Sequence, residues 1–167
     1  VNGNVLNDID GLTDGNVDGT GVGLPSGTQL YAYLRTSGNA TILKAVPVNP
    51  DGSYAFTEVT NGTYTVVIST TQVAAGGTTP AVVLPANWIL TGEDCCDNTG
   101  SDGTVNGTTN FTMASANVNN VNFGIEQLPT ADITTEPAQS NPGGTASASV
   151  PATSFGGTDP NGGIITA

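Results

Sequence analysis

Apolar and polar residues alternate in short runs along most of this chain, a pattern that predicts β-strands. Turn-favouring clusters of Gly, Asn, Asp, Thr and Pro separate the runs. Leu30, Ala32 and Leu34 share one face of their run, and we expect that face to cover the core. Strands are predicted at Val1–Leu6, Gln29–Thr36, Thr41–Val48, Gly52–Val59, Thr63–Thr70, Ala81–Leu84 with Trp88–Thr91, Asn110–Ala114 and Asn119–Ile125. This spacing predicts an all-β protein, an antiparallel β-sandwich.

The segment Asp51–Thr70 has the most regular alternation in the chain. Tyr54 and Phe56 lie on one side of the first run, and Tyr64 begins a similar alternation in the second. Asn61-Gly62 lies between the runs and tolerates the positive φ angles of a tight turn. The sequence therefore predicts a β-hairpin with two aromatic strands that need a core to cover.

Charge and composition narrow the possible functions. The chain has 2 Lys plus Arg against 14 Asp plus Glu, a net charge of -12, so it offers no basic surface to nucleic acid or to an anionic membrane. No apolar run approaches the roughly 20 residues of a membrane-spanning helix. The sequence contains no His, which removes the usual proton shuttle at neutral pH. A non-enzymatic protein is predicted, with neither nucleic acid nor direct membrane insertion among its partners.

The amino-acid composition changes after residue 126. Pro129, Pro137 and Pro142 recur and aromatic residues disappear, so residues 127–142 are predicted to be an extended linker. Residues 143–167 include a possible strand at Thr145–Val150 and a turn after Phe155, but they are too few to close a core unaided. They are either the start of a second domain or a strand that completes a neighbouring copy.

Three segments resemble one family. The pattern Asp51-Gly-x-Tyr-x-Phe-x-x-Val-x-x-Gly-x-Tyr-x-Val66 resembles the hairpin signature of the B-type repeats in Gram-positive collagen-binding and serine-aspartate-repeat surface proteins. Gly3-x-Val-x-x-Asp8 resembles the first strand of those repeats, and Val121-Asn-Phe-Gly-Ile125 resembles their closing strand. The resemblance covers residues 1–126 and implies a prealbumin-like, Ig-like sandwich. The linker and tail resemble tandem Ig-like arrays in large surface adhesins of gliding Gram-negative bacteria.

The resemblance implies a structural role outside the cell. It predicts a module of a repetitive adhesin or cell-surface fibre that spaces and joins adjacent modules or neighbouring copies. One alternative is a carbohydrate- or protein-binding module with Trp88, Tyr31 and Tyr33 exposed, although the single Trp is predicted to plug the core. Another alternative is a fibre subunit that polymerises by strand exchange through its tail.

The same family also suggests an intramolecular isopeptide bond between a Lys of the first strand and an Asn of the last. The predicted first strand here has no Lys, and the only Lys of the chain, Lys44, lies in the third predicted strand. Such a bond is therefore not expected. If one formed, its Asn would be Asn122 of the closing strand. Lys44 is predicted to be a solvated or edge-guarding charge.

An acidic, Gly-rich loop is the candidate metal site. Asp8, Asp10, Asp14 and Asp18 crowd four carboxylates into a short segment, which favours a hard cation with oxygen ligands. The serine-aspartate-type repeats bind calcium in an equivalent loop, although the spacing here departs from theirs. Asp94, in a second acidic loop, is a possible further ligand. Calcium is the predicted cofactor, and a merely solvated acidic loop is the alternative.

Cys95 and Cys96 are the only cysteines and are adjacent in the chain. They can form a vicinal disulfide, a bond to another chain, or two free thiols. An exported acidic module would be oxidised, which favours the first two arrangements. We interpret the pair as a device that stiffens its loop.

Overall fold

The computed structural model describes residues 1–11, 16–96 and 103–129, and beyond them only the backbone of two short strands. The chain is all-β, as predicted, with no α-helix among the described residues. Among the residues that the structure describes, no helix has the length and apolar character needed to cross a bilayer. The strands are β1 Asn2–Asn7, β2 Thr20–Gly21, β3 Tyr31–Thr36, β4 Ile42–Pro47, β5 Ser53–Ala55, β6 Gly62–Ser69, β7 Trp88–Cys95, β8 Thr108–Met113, β9 Val121–Gln127, β10 Gly157–Thr158 and β11 Ile164–Ile165.

Two sheets pack as a sandwich within the unit Val1–Gln127. One sheet has the order β4-β3-β6-β8, with antiparallel neighbours throughout. The other has the order β2-β1-β9-β7, and β5 also pairs with β1. Its central pair, β1 and β9, is parallel, with Val5 opposite Phe123 and Asn7 opposite Ile125. The first and last strands of the sandwich therefore run side by side in the same direction.

The main core lies between the sheets and takes its side chains from both. The Leu30 face predicted from alternation is confirmed as a core face, since Leu30, Ala32 and Leu34 are all buried. Tyr54 is buried too, and its hydroxyl donates a 2.6 Å hydrogen bond to the carbonyl oxygen of Val121. The other buried members of this core are Val5, Val48, Phe56, Tyr64, Val66, Ile68, Phe111, Val121, Phe123 and Ile125.

Gly3 of the first-strand motif has a steric role. A Cβ atom built on Gly3 would lie 1.8 Å from the Val121 carbonyl oxygen and 2.9 Å from the Tyr54 hydroxyl. Only glycine leaves room for this close approach of β1, β5 and β9. The structure thus brings the three family-like segments together around one contact.

The predicted hairpin of Asp51–Thr70 is wrong. Its first strand, β5, pairs with β1, whereas its second strand, β6, lies in the other sheet between β3 and β8. Residues 56–61 cross from one sheet to the other, and the positive φ in this connection belongs to Glu58. Alternation alone could not show this, because strands from opposite sheets that face one core carry the same pattern as the two strands of a hairpin.

The outer face of β3 carries a second, smaller buried cluster. Tyr33 is fully buried in a smaller cluster with Ile42 and Val67, on the outer side of the four-stranded sheet. Its hydroxyl donates to the Thr71 carbonyl oxygen at 2.5 Å and accepts from the Val73 amide at 3.2 Å. The segment between β6 and β7 therefore covers this face.

The strand around Trp88 also differs from the prediction. Residues 81–84 form no strand, and β7 instead runs from Trp88 to Cys95 as a partner of β9. The register shifts between Leu90 and Gly92, so the ladder is irregular at Thr91. This irregularity lies beside the candidate metal site described below.

The second unit, Leu128–Ala167, contains the antiparallel pair β10 and β11. Gly157 lies opposite Ile165, and Thr158 lies opposite Ile164. The strand predicted at Thr145–Val150 falls outside the described residues, as does most of the predicted linker.

Candidate metal centre

The acidic loop begins where β1 ends, beside the finish of β9. We call this end of the sandwich, where β1 ends at Asn7 and β9 ends at Gln127, the exit end. The Asp8 amide donates a 3.0 Å hydrogen bond to the Ile125 carbonyl oxygen, which extends the ladder by one residue. Val17, buried at 6% exposure, anchors the returning part of the loop. A rigid pair of strands thus positions the first carboxylate of the loop.

Three of the predicted ligands come together at this end. Asp8, Asp10 and Asp18 each offer a carboxylate oxygen, and these oxygens lie within 4.8 Å of one another. Calcium binds oxygens at about 2.3–2.6 Å, so oxygens on opposite sides of one ion are about 5 Å apart. The three carboxylates therefore fit around a single calcium ion, and their hard anionic oxygens suit that cation.

Asp8 differs from its two neighbours in being completely buried, whereas Asp10 and Asp18 are exposed. Its Oδ2 accepts a 2.7 Å hydrogen bond from the Thr91 hydroxyl. Its Oδ1 is buried with no hydrogen-bond partner among the described residues. A buried carboxylate oxygen without a partner is costly, and a bound cation would satisfy it.

The electrostatics of Asp8 agree with this geometry. The pKa of Asp8 is raised from 3.8 to about 6, chiefly by burial and also by the neighbouring carboxyl groups of Asp10 and Asp18, against the lowering effect of the Thr91 hydrogen bond. Desolvation and like charges both disfavour the ionised form. A calcium ion would reverse both effects, because it neutralises the cluster and ligates the ionised oxygen.

Thr91 and Gly124 are parts of this site that the sequence analysis missed. A Cβ atom built on Gly124 would lie 2.2 Å from Thr91 Oγ1 and 2.7 Å from Asp8 Oδ2. Glycine at this position therefore leaves the space in which the hydroxyl meets the carboxylate. The one sequence signal was Gly124 itself, a glycine inside the predicted closing strand.

The other two predicted ligands are not in the group. Asp94 is buried on β7 opposite Asn122, four residues beyond the strand position that faces Ile125. Its strand carries it towards the other end of the sandwich, so it does not join the three carboxylates. Asp14 lies outside the described residues.

Cys95 and Cys96 form a vicinal disulfide. Cys95 ends β7 and packs against the main core, whereas Cys96 is exposed and has a φ of 108°. Of the three arrangements open from the sequence, the structure contains the first. The disulfide lies at the end of β7, where Cys95 is opposite Val121, the first residue of β9.

The aromatic residues of the alternative binding prediction are not exposed together. Tyr33 is fully buried, and Trp88 is half-buried at the rim of the core with its indole N–H donating to Ser26 Oγ at 2.9 Å. Tyr31 lines an open cleft of about 470 Å³ on the outer side of the four-stranded sheet. The remaining lining residues are uncharged: Ala45, Pro47, Gln72, Val73, Ala74 and Ala75.

The residues considered for an isopeptide bond lie in different sheets. Lys44 is on β4 opposite Leu34, whereas Asn122 is on β9. The Asn122 side-chain oxygen accepts a 3.0 Å hydrogen bond from the Asn4 amide and serves to join β9 to β1.

No family model matches this chain, and no curated protein matches it.

Proposed function

We propose that this chain is a non-enzymatic structural module of an extracellular adhesin or cell-surface fibre, which spaces and joins its neighbours. The parallel pairing of β1 and β9 is the observation that carries this proposal. Because the two strands run in the same direction, the sandwich begins at one end and finishes at the other. A strand of this length advances about 20 Å, so each module adds its own length to an array.

The same pairing suits a module under tension. A pull applied at Val1 and beyond Gln127 acts along the β1–β9 ladder and loads its hydrogen bonds together. In addition, the Tyr54 hydroxyl bonds β5 to β9 across the intervening strand. A fibre that holds cells to a surface needs this resistance.

Calcium at the exit end is the second part of the proposal. Asp8 lies on the parallel pair, and Asp10 and Asp18 lie on the loop that leaves it and returns. An ion held by these carboxylates would fix the loop against the two strands that finish there. The module would then be stiffest at the end from which the chain passes to the next segment.

Single-molecule pulling of the full chain tests the spacing role. One preparation is attached at Val1 and Leu128, so that the ladder is sheared. The control is attached at Val1 and Asn119, which precedes β9, so that the ladder is opened one bond at a time. The proposal predicts a several-fold higher unfolding force in the first geometry, and equal low forces would contradict it.

The Tyr31 cleft favours a second candidate function. Its aromatic ring, the amide of Gln72 and the absence of charged lining residues suit a neutral sugar unit stacked on the ring. Calorimetric titration with neutral oligosaccharides tests this function. Saturable heat that disappears in Tyr31→Ala would support it, and no heat with any neutral oligosaccharide would exclude it.

A further inference from the structure

A buried carboxylate contacts the two residues that precede β8. Glu93 is fully buried, and its carboxylate accepts hydrogen bonds from the Asn106 amide, at 3.1 and 3.3 Å, and from the Gly107 amide. Two amide donors suit an ionised carboxylate, which can only accept. The backbone nitrogen of Gly107 therefore faces a base inside the protein.

The side chain of Asn106 is held from the opposite direction. Its Oδ1 accepts two hydrogen bonds from Thr108, one from the amide at 2.8 Å and one from the hydroxyl at 2.5 Å. Two donors on one carbonyl oxygen polarise the Cγ atom and stabilise negative charge that develops on the oxygen. Asn106 is itself exposed, so water can reach it and ammonia can leave.

We propose that Asn106-Gly107 is a self-modifying site at which Glu93 acts as the base. The Gly107 nitrogen attacks Asn106 Cγ while Glu93 takes the proton of that nitrogen. The C–N bond to Nδ2 then breaks, and the leaving amide takes the proton from Glu93 and departs as ammonia. A succinimide ring remains, and water opens it to aspartate or isoaspartate.

Each group has one task in this step. Glu93 activates the nucleophile, as a positioned general base does. Thr108 supplies the donors that stabilise the tetrahedral oxygen. The ring joins neighbouring residues, so no second molecule is needed until hydrolysis. This site is independent of the proposed spacing role and of calcium.

The chain contains a matched site with the same three residues. Asn61-Gly62-Thr63 repeats the sequence of Asn106-Gly107-Thr108. The Asn61 side chain instead bonds to Ser115, whose amide donates to Oδ1 at 2.8 Å. Gly62 is the first residue of β6, opposite Met113 in the ladder. The described hydrogen bonds at this site involve no carboxylate, so it reports the reactivity of the tripeptide without a base.

The product would place a new negative charge beside buried Glu93. The new charge belongs to the residue whose amide contacts Glu93, so like-charge repulsion would weaken the contacts that join β7 to the segment before β8. Modification at Asn106 would therefore mark old copies of the protein by a local loosening of this junction.

Peptide mapping by mass spectrometry after incubation at neutral pH tests the proposal. In the folded full chain, Asn106 should convert to succinimide and aspartate about 100-fold faster than Asn61. This factor is the lower end of the rate enhancement that a general base supplies. In denaturant the two identical tripeptides should react at similar rates. Equal rates in the folded protein would overturn the proposal, and so would an advantage for Asn106 that persists in denaturant.

Two variants assign the groups. Glu93→Gln keeps the hydrogen-bond acceptor but removes the base, and it should bring the folded ratio of the two rates close to one. If that variant does not fold, Thr108→Val replaces it, since loss of the hydroxyl donor should lower the rate at Asn106 alone. An unchanged ratio in either folded variant would contradict the role given to that residue.

Discussion

The Thr91 hydroxyl donates a 2.7 Å hydrogen bond to Oδ2 of Asp8, two residues that are 83 positions apart in the chain. The bond joins the irregular part of β7 to the first carboxylate of the acidic loop, across the position of Gly124. Oδ1 of Asp8 is left buried without a hydrogen-bond partner among the described residues, in a carboxylate that lies beside those of Asp10 and Asp18. The buried half of the proposed calcium site therefore depends on three distant segments.

Replacing Asp8 with Asn should have opposite effects with and without calcium. Without the ion at neutral pH, Asp8→Asn removes a buried charge that faces two others, and the free energy of unfolding should rise by about 1–3 kcal/mol. With calcium, the same variant lacks an anionic ligand and should gain little from the ion. Urea unfolding of both proteins, in chelator and in calcium, measures the four values.

Glu58→Gln is the control for that comparison, since Glu58 is exposed in the connection between the sheets. It should behave as wild type in both conditions. If Asp8→Asn and Glu58→Gln respond equally to calcium, the ion does not bind at Asp8.

The metal-free protein should lose stability as the pH rises. The pKa of Asp8 is about 6 in the fold against 3.8 for the ordinary group, so folding favours the protonated form. Its contribution is fully present below about pH 4 and is lost as the pH rises through 6, by up to about 3 kcal/mol. The urea midpoint measured in chelator should therefore decrease as the pH is raised from 4 to above 6. Asp8→Asn should lack this pH-dependent decrease.

A methyl group at residue 124 should disturb the site sterically. Gly124→Ala places a Cβ atom 2.2 Å from Thr91 Oγ1 and 2.7 Å from Asp8 Oδ2. We expect a loss of about 1–3 kcal/mol of stability together with weaker calcium binding. Gly38→Ala is the control: its Cβ would meet nothing within 4 Å, and its φ of 79° strains an alanine, so it should cost some stability without weakening calcium binding. Calcium binding unaffected by Gly124→Ala would remove the Thr91–Asp8 contact from the site.

Reduction of the vicinal disulfide should have only a small effect on stability. A cross-link between adjacent residues closes a minimal loop, for which chain entropy gives about 1 kcal/mol. Thermal unfolding before and after reduction, with alkylation and intact mass to confirm the state, measures this value. A loss of several kcal/mol would show that the bond shapes more of the fold than the end of β7.

The sequence located most of the strands but not their pairing. Alternation at Leu30, Ala32 and Leu34 identified a core face, because burial on one side is a local property of a strand. The hairpin prediction failed because Tyr54 and Tyr64 enter the same core from opposite sheets. Which strands pair depends on contacts between residues distant in sequence, and a local pattern of alternation does not encode those contacts.

The candidate site was predictable to a similar extent. Asp8, Asp10 and Asp18 lie in one short segment, so their closeness follows from the sequence. Thr91 and Gly124 join them only through the pairing of β7, β9 and β1, and no local signal marked the Thr. Asp94 is also acidic, but it lies on β7 three residues beyond Thr91, opposite Asn122 and away from the three carboxylates. Composition could not reveal this position.

Thermal unfolding of the full chain during calcium titration tests the calcium-fixed spacer most directly. Extracellular modules bind calcium with Kd of about 10⁻⁴–10⁻³ M, and an ion present at 100 times Kd stabilises the fold by about 2.7 kcal/mol. We predict a midpoint that rises by several degrees with calcium, returns with chelator, and does not rise in Asp8→Asn. An unchanged midpoint over the whole titration would contradict the account.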